Sequence, residues 1–340
     1  MASRPPRVSI IVPTYNGSEH LPDCLAALKA AAGESEIIVV DDGSTDNTAA
    51  IAVRENVRVL RLSKNAGPGA ARNYGVAHSH GDVVFFVDSD VVVAPDSVQR
   101  VTQAFADHPQ VAAVFGSYDA QPRAKNFASQ YRNLLHHFVH QNGNSDASTF
   151  WAGLGAVRRS VFNAVGGFDE KFRPVCSVED IELGYRILKG GHPIFLDKGL
   201  QGTHLKHWSA LSIVRTDVTH RAIPWSRLII ESDNAPNDLN LKTGQRISAA
   251  LLLLACALVP LSAFRIELLL FAAAAVLTVI ILNRDLYAFF YRQRGLSFAS
   301  ACVPLHMLYY CYSGLSYLFV WAMMLFQGTE MHSRNASERR

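Results

Sequence analysis

The chain has 340 residues, 18% of them charged and 49% apolar, and a net charge of +3. That length suits one large domain with an appendage, or two domains, and so small a positive charge, without a Lys/Arg block, argues against a nucleic-acid partner. Five cysteines (Cys24, Cys176, Cys256, Cys302 and Cys311) fall at no CxxC or other ligand spacing, which excludes a disulfide framework and predicts reduced thiols.

The apolar residues are unevenly spread: 1–246 reads as an ordinary soluble α/β chain, and 247–326 is almost continuously apolar. Residues 1–7 lead straight into a strand, so no signal peptide is expected and the soluble part is placed in the cytoplasm. Val8-Ser9-Ile10-Ile11-Val12 predicts a short buried strand ending in the loop Pro13-Thr14-Tyr15-Asn16, with Ser18 positioned to cap the helix that follows. Glu36-Ile37-Ile38-Val39-Val40 predicts a second strand with an acidic end, Asp41-Asp42. A helix to about residue 55 and a strand at 57–60 come next. Gly67-Pro68-Gly69 then opens another helix, with Pro68 suited to its first turn.

Gly67-x-Gly69-x-x-Arg72 nearly spells the dinucleotide fingerprint, but it follows the third strand rather than the first, and Arg72 replaces the third small residue. Two readings remain: a phosphate-binding corner made by helix-start amides with Lys64 and Arg72, or a tight turn with a surface arginine.

The run Val83-Val84-Phe85-Phe86-Val87 predicts a strand buried on both faces. It ends in Asp88-Ser89-Asp90, whose two carboxylates at i and i+2 share a face in an extended chain. Two anions at the carboxyl end of a buried strand suit a hard divalent cation that also holds phosphates, or else a solvated turn. Strands alternating with helices at this spacing predict right-handed crossovers and a parallel sheet.

Beyond Pro95 a helix, a strand at 111–118 and an amphipathic helix at 123–139 are expected. His136, His137 and His140 lie near the end of that helix without a matched acid set, as on a solvated or acceptor-facing surface rather than a metal site. Residues 150–157 read as a strand with glycines where something approaches the backbone closely. After the turn Gly166-Gly167-Phe168-Asp169-Glu170, Ser177 is expected to cap a helix beginning at Glu179-Asp180. Neighbours in a helix diverge by about 100°, so only one of these acids can face a given site. That one could take a proton from a hydroxyl, or both could simply suit the helix dipole. A last strand is expected over Pro193-Ile194-Phe195-Leu196-Asp197, followed by His204 and His207.

The division expected is a catalytic domain at 1–208, an amphipathic interfacial helix at 209–231 kinked by Pro224, a linker at 232–246, transmembrane helices at 247–326 and a polar tail at 327–340. Spans are expected at 247–264, 266–282 and 302–326, each near or above the minimum of about 17 residues needed to cross a bilayer. Arg284, Arg292 and Arg294 place the segment between the last two spans in the cytoplasm with the catalytic part. Three crossings would leave Arg334, Arg339 and Arg340 outside, against their charge, so the third segment could instead re-enter.

Val12-Pro13-Thr14-Tyr15-Asn16, Asp41-Asp42-Gly43-Ser44-Thr45-Asp46, Asn65-Ala66-Gly67 through Ala71-Arg72-Asn73, Asp88-Ser89-Asp90, Gly166-Gly167-Phe168-Asp169-Glu170 and Glu179-Asp180-Ile181-Glu182-Leu183 together resemble family 2 glycosyltransferases, which are inverting enzymes. The resemblance covers residues 7–210 and implies an α/β fold: a GT-A (Rossmann-like, mostly parallel sheet) catalytic domain, here followed by an α-helical membrane domain.

It also implies roles. Pro13, Tyr15, Asp41 and Asp42 would line the nucleotide pocket, one of the two acids contacting the base. Lys64 and Arg72 would lie near the ribose and diphosphate, with Asp88 and Ser89 on the donor side. Asp90, with Asp88 and His204, would hold Mn²⁺ or Mg²⁺, and Asp180, second acid of the pair with Glu179, would be the general base. The run from His204 to Trp208 is similar to the QxxRW motif of processive members, but histidine stands for both Gln and Arg, which argues against processive synthesis.

A base at Asp180 favours a hydroxyl acceptor, because a polyprenyl phosphate oxygen is already anionic. The activity expected is transfer from a nucleotide sugar, a UDP-sugar first, to a hydroxyl of a membrane lipid or lipid-linked acceptor, by a multi-pass protein of the cell (inner or plasma) membrane. A polyprenyl-phosphate glycosyltransferase, a polysaccharide synthase, a membrane-tethered NAD oxidoreductase and a non-catalytic membrane scaffold are the alternatives.

Overall fold

The computed structural model describes residues 6–172, 178–232 and 235–337, with side chains to residue 326. Ser177, Cys176, Asp233, Asn234 and the tail arginines fall outside those descriptions. The chain divides into two compact units, Met1–Ser209 and Ala210–Arg340.

The first unit is built on one eight-stranded sheet. Its strands are β1 (Val8–Thr14), β2 (Glu36–Asp41), β3 (Arg58–Arg61), β4 (Val83–Val87), β5 (Val91–Val93), β6 (Ala113–Tyr118), β7 (Leu154–Arg158) and β8 (Ile194–His204). The spatial order is β3-β2-β1-β4-β7-β6-β8-β5. The helices are α1 (Leu21–Ala31), α2 (Thr48–Arg54), α3 (Pro68–Ala77), α4 (Ser97–Asp107), α5 (Phe127–Gln141), α6 (Arg159–Ala164) and α7 (Glu179–Lys189). β1 pairs in parallel with β2 and β4, with Ile10 opposite Ile37 on one side and Phe85 on the other. Every residue of β1 and β4 is buried, as unbroken apolar runs between two helical layers require.

The sheet is mixed rather than wholly parallel. β7 runs antiparallel to both β4 and β6, and β5 runs antiparallel to β8. β8 is also twice the expected length: it pairs with β6 along its first part, and its end continues on to β5, setting His204 opposite Val91. The strand expected from 150 begins only at Leu154, because residues 152–153 form a turn. Ser18 does not cap α1, which starts at Leu21; its amide donates instead to Asp46.

The second unit contains α8 (Ala210–Thr216), a π-helical turn at Asp217–Ala222, α9 (Ile223–Ser232), α10 (Thr243–Leu261), α11 (Leu268–Leu282) and α12 (Arg284–Ser337). The break expected at Pro224 is taken up by the π-turn just before it, which accommodates the missing N–H and the ring without ending the helix. α12 bends sharply at Gly295, where φ is 82°. Inside this apolar unit, the Tyr310 hydroxyl donates to Asn283 at 2.7 Å and Asn283 donates to Ser248 at 3.0 Å. By length and composition α10 and the 284–326 part of α12 could each cross a membrane. α11, the second expected span, has 15 residues. At about 1.5 Å rise per residue it falls short of a hydrocarbon core of about 30 Å.

Candidate functional site

The loops at the carboxyl ends of β1, β2 and β4 converge, because parallel neighbours end on the same side of the sheet. The first two are tied together. Asn16 N donates to Ser44 Oγ at 2.9 Å, and Gly17 N donates to Thr48 Oγ1 at 2.8 Å. Pro13 is buried at the end of β1, while Tyr15 (47% exposed) and Lys64 stand at the surface beyond it.

The acids after β2 have internal tasks. Asp41 is buried, accepts from Ser44 N at 2.9 Å and lies 3.1 Å from Arg61 Nε. Asp42 is buried too, and its two oxygens accept from the Ala66 and Gly67 amides at 2.7 and 2.8 Å. The glycine turn before α3 therefore already holds a carboxylate from its own chain, at amides that the sequence reading offered to a phosphate.

Arg72, also expected at the phosphates, is 4% exposed. Its Nη2 donates to Asp88 Oδ1 at 2.7 Å and its Nη1 to Glu179 Oε1 at 2.9 Å. The guanidinium lies 5.3 Å from the centroid of the Phe168 ring. Burial alone would weaken the arginine's charge, but Asp88, Glu179 and Asp180 outweigh it, and its pKa rises. The surface-arginine reading is corrected: Arg72 is a strut between β4 and α7.

The turn that supplies Phe168 is held from both sides. Asn73 Nδ2 donates to Phe168 O and Phe168 N donates to Asn73 Oδ1, each at 2.9 Å. Arg186 Nη2 donates to Gly167 O at 2.7 Å. Gly167 has φ 68°, and a Cβ there would lie 2.7 Å from Asn73 Oδ1. Here glycine is required both by conformation and by space.

Glu179 and Asp180 diverge as helix geometry demands. Glu179 is buried against Arg72, whereas Asp180 is half-buried, with Oδ2 accepting from Ala152 N at 3.1 Å and Oδ1 from Ile181 N at 2.8 Å. Burial, then the charge of Glu179, raise the Asp180 carboxyl to about 7 against the opposing pull of Arg72 and the two amides. A carboxyl so placed is a competent general base near neutral pH.

Asp90 lies across from His204, with Oδ2 3.5 Å from Nε2. Burial pushes the Asp90 carboxyl up, but the His204 hydrogen bond and the fields of His204, Lys206 and His20 prevail and hold it at about 2. Such a permanently ionised oxygen donor fits Mn²⁺ or Mg²⁺. Among the described residues no three His, Cys, Asp or Glu side chains converge as a self-sufficient metal centre. Of the expected trio, Asp90 and His204 are together, and Asp88 faces Arg72.

The sequence reading missed a wall of rings. Tyr118 stacks on His204 with centroids 4.2 Å apart and 14° between planes. Trp151 meets Tyr118 edge-on at 4.9 Å, and His136 and His140 at 4.6 and 5.3 Å. Tyr118 joins the wall to Asp90 through His204, and Trp151 is followed by Ala152, whose amide holds Asp180. What approaches the backbone at Gly153 is the ring of Trp151, which a Cβ would meet at 2.5 Å. The one sequence signal was the small-residue run after Trp151.

Residues 9–166 match the sequence profile of Glycosyl transferase family 2. The O-antigen chain rhamnosyltransferase RfbN of Salmonella typhimurium is 27% identical over 236 residues, covering 64% of this chain and 74% of its own. An undecaprenyl-phosphate 4-deoxy-4-formamido-L-arabinose transferase of Pseudomonas fluorescens is 33% identical over 168 residues, 46% of this chain and 48% of that relative. Apart from the rhamnosyltransferase, this chain spans about half or less of the curated relatives it matches. The mannosyltransferase PcManGT from Pyrobaculum calidifontis, solved with GDP-Man and Mn²⁺, has the same fold at a TM-score of 0.60, with 19% identity over 93% of this chain and 88% of that one.

Proposed function

We propose that this glycosyltransferase, whose family 2 domain occupies residues 9–166, transfers a sugar with inversion from a nucleotide sugar to a hydroxyl group held at a membrane. The observation that carries the reading is Asp180: a half-buried carboxyl raised to about 7, aimed by the Ala152 amide, and free of the arginine clamp that engages Glu179.

In the reaction the acceptor oxygen bonds to the anomeric carbon as the bond from that carbon to the diphosphate oxygen breaks. The hydroxyl proton passes to Asp180, and the nucleoside diphosphate leaves with the bonding pair. Asp90, with His204 beside it and Asp88 nearby, would hold Mn²⁺ or Mg²⁺, which when bound supplies countercharge to the leaving diphosphate. Arg72 keeps Asp88 in place, and Tyr15 and Lys64 form the rim of the donor pocket.

A membrane setting is supported by α10, by the 284–326 part of α12, and by large apolar side chains exposed on the second unit, among them Phe264, Leu270, Phe319 and Phe326. The arginines at 284–294 favour a cytoplasmic catalytic unit in a multi-pass protein.

A second reading, transfer to a polyprenyl phosphate, is favoured by the likeness to two undecaprenyl-phosphate transferases. Turnover of a nucleotide-sugar panel by the purified full chain, with undecaprenyl phosphate or a hydroxyl-bearing lipid-linked sugar as acceptor, decides. Turnover on the hydroxyl acceptor that is lost in Asp180→Asn supports the first reading. Turnover on the phosphate that survives in Asp180→Asn overturns it in favour of the second.

A further inference from the structure

We propose that the rings of Trp151 and Tyr118 form the acceptor subsite, and that its occupant is a sugar residue rather than a bare lipid phosphate. The inference rests on Asp180 being the base.

Position comes first. Trp151 precedes Ala152, whose amide holds Asp180 Oδ2 at 3.1 Å. The ring and the carboxylate are thus carried by adjoining residues and one hydrogen bond, so a group resting on Trp151 sits beside the oxygen that receives its proton.

The wall is also rigid. Trp151 lies on the Gly153 backbone and meets Tyr118 at 83° and His140 at 90°. His140 Nδ1 is 2.9 Å from Gly116 O, and His137 Nδ1 is 2.7 Å from Tyr118 O, so α5 is pinned to β6 behind the rings. Trp151 and Tyr118 remain partly exposed while His140 and His204 behind them are buried. Two fixed, partly open rings offer an apolar face at little ordering cost, which matches the C–H face of a pyranose.

Charge then separates the candidates. The Tyr118 phenol, partly exposed on this wall, is an O–H donor for a sugar oxygen. His136, packed in the same wall, has its imidazole pKa lowered by burial first, and its buried Nδ1 has no hydrogen-bond partner. A phosphate dianion would meet ring faces beside carboxylates, whereas a neutral sugar meets stacking surface and a donor.

The test uses the full chain in detergent, octyl pyranosides of several sugars, and undecaprenyl phosphate as the contrasting probe. In Trp151→Ala the glycoside KM should rise about tenfold while the donor KM shifts less than twofold. Trp151→Phe should recover most of that loss, and Tyr118→Phe should raise the glycoside KM several-fold. Equal shifts in donor and glycoside KM, or wild-type transfer to undecaprenyl phosphate and to no glycoside, overturn the proposal. Should Trp151→Ala not fold, Tyr118→Phe gives the same split, with the glycoside KM raised several-fold and the donor KM shifted less than twofold. Saturation-transfer NMR of the glycosides needs no turnover: saturation of sugar C–H protons in the wild type supports the subsite, and its absence for every glycoside overturns it. Full transfer by Asp180→Asn together with a Trp151 effect on glycoside KM would remove the base and leave the platform standing.

Discussion

Arg72 reaches Glu179 across 107 positions of sequence, Nη1 donating to Oε1 at 2.9 Å, with side chains only 5% and 7% exposed. Removing either partner strands a buried charge. Glu179→Ala should destabilise the catalytic unit by about 3–5 kcal/mol, read as a fall of roughly 10 °C in Tm. Glu179→Gln keeps an acceptor oxygen and should lose less. Calorimetry of the purified variants checks the order.

Asp180 gives the reaction its expected pH dependence. Burial and then Glu179 place the carboxyl at about 7. Below that value the group is protonated and cannot act as a base, so kcat/KM should rise with pH and level off above about 7. Asp180→Asn should lose about 10²–10⁴ in turnover and abolish this limb of the profile while still binding donor. A steady-state pH series on both proteins measures it, and a wild-type limb centred near the usual carboxylate range, about 4, would count against Asp180.

His204 supports Asp90 by a 3.5 Å contact and lowers its carboxyl. His204→Ala should weaken activating Mn²⁺ about 10–100-fold, in line with other groups that orient a ligand. Asp90→Ala should weaken metal dependence and donor use together. Chelator treatment of the wild type should stop transfer, and added Mn²⁺ or Mg²⁺ should restore it. Metal titrations of initial rate read all three.

The second unit should hold the chain in lipid. α10 and the 284–326 part of α12 are long and apolar enough to span, so the full chain should stay with membranes through carbonate washing. Replacing Leu252 and Ala255, both buried within the unit, by aspartate should release it into the soluble fraction or prevent its accumulation. Fractionation and blotting distinguish these outcomes from an unaffected membrane pool.

Much of the catalytic frame was legible because buried parallel strands write themselves as apolar runs: Val8–Val12, Glu36–Val40 and Val83–Val87 predict β1, β2 and β4, of which β1 runs two residues further and β2 one. Pairing was not. Nothing local to 154–158 says that β7 inserts between β4 and β6 in the opposite sense, because strand order is a long-range property. Acidic strand ends were visible, but their partners were not. Asp42 answers the amides of Ala66 and Gly67, and Arg72 answers Asp88 and Glu179. Trp151 read as an ordinary strand residue because its setting against Tyr118 depends on β6 and on the turn before β7.

The Asp42 and Arg72 contacts together have an electrical consequence. The amides entering α3 face a resident anion, and the Arg72 guanidinium is matched by two carboxylates. In the proposed donor pocket, much of the attraction for phosphate is therefore cancelled before any nucleotide arrives. Nucleotide sugars should then enter as cation complexes, with binding set more steeply by divalent-ion activity than by ionic strength, and free nucleotides should be poor competitors whenever the cation is scarce.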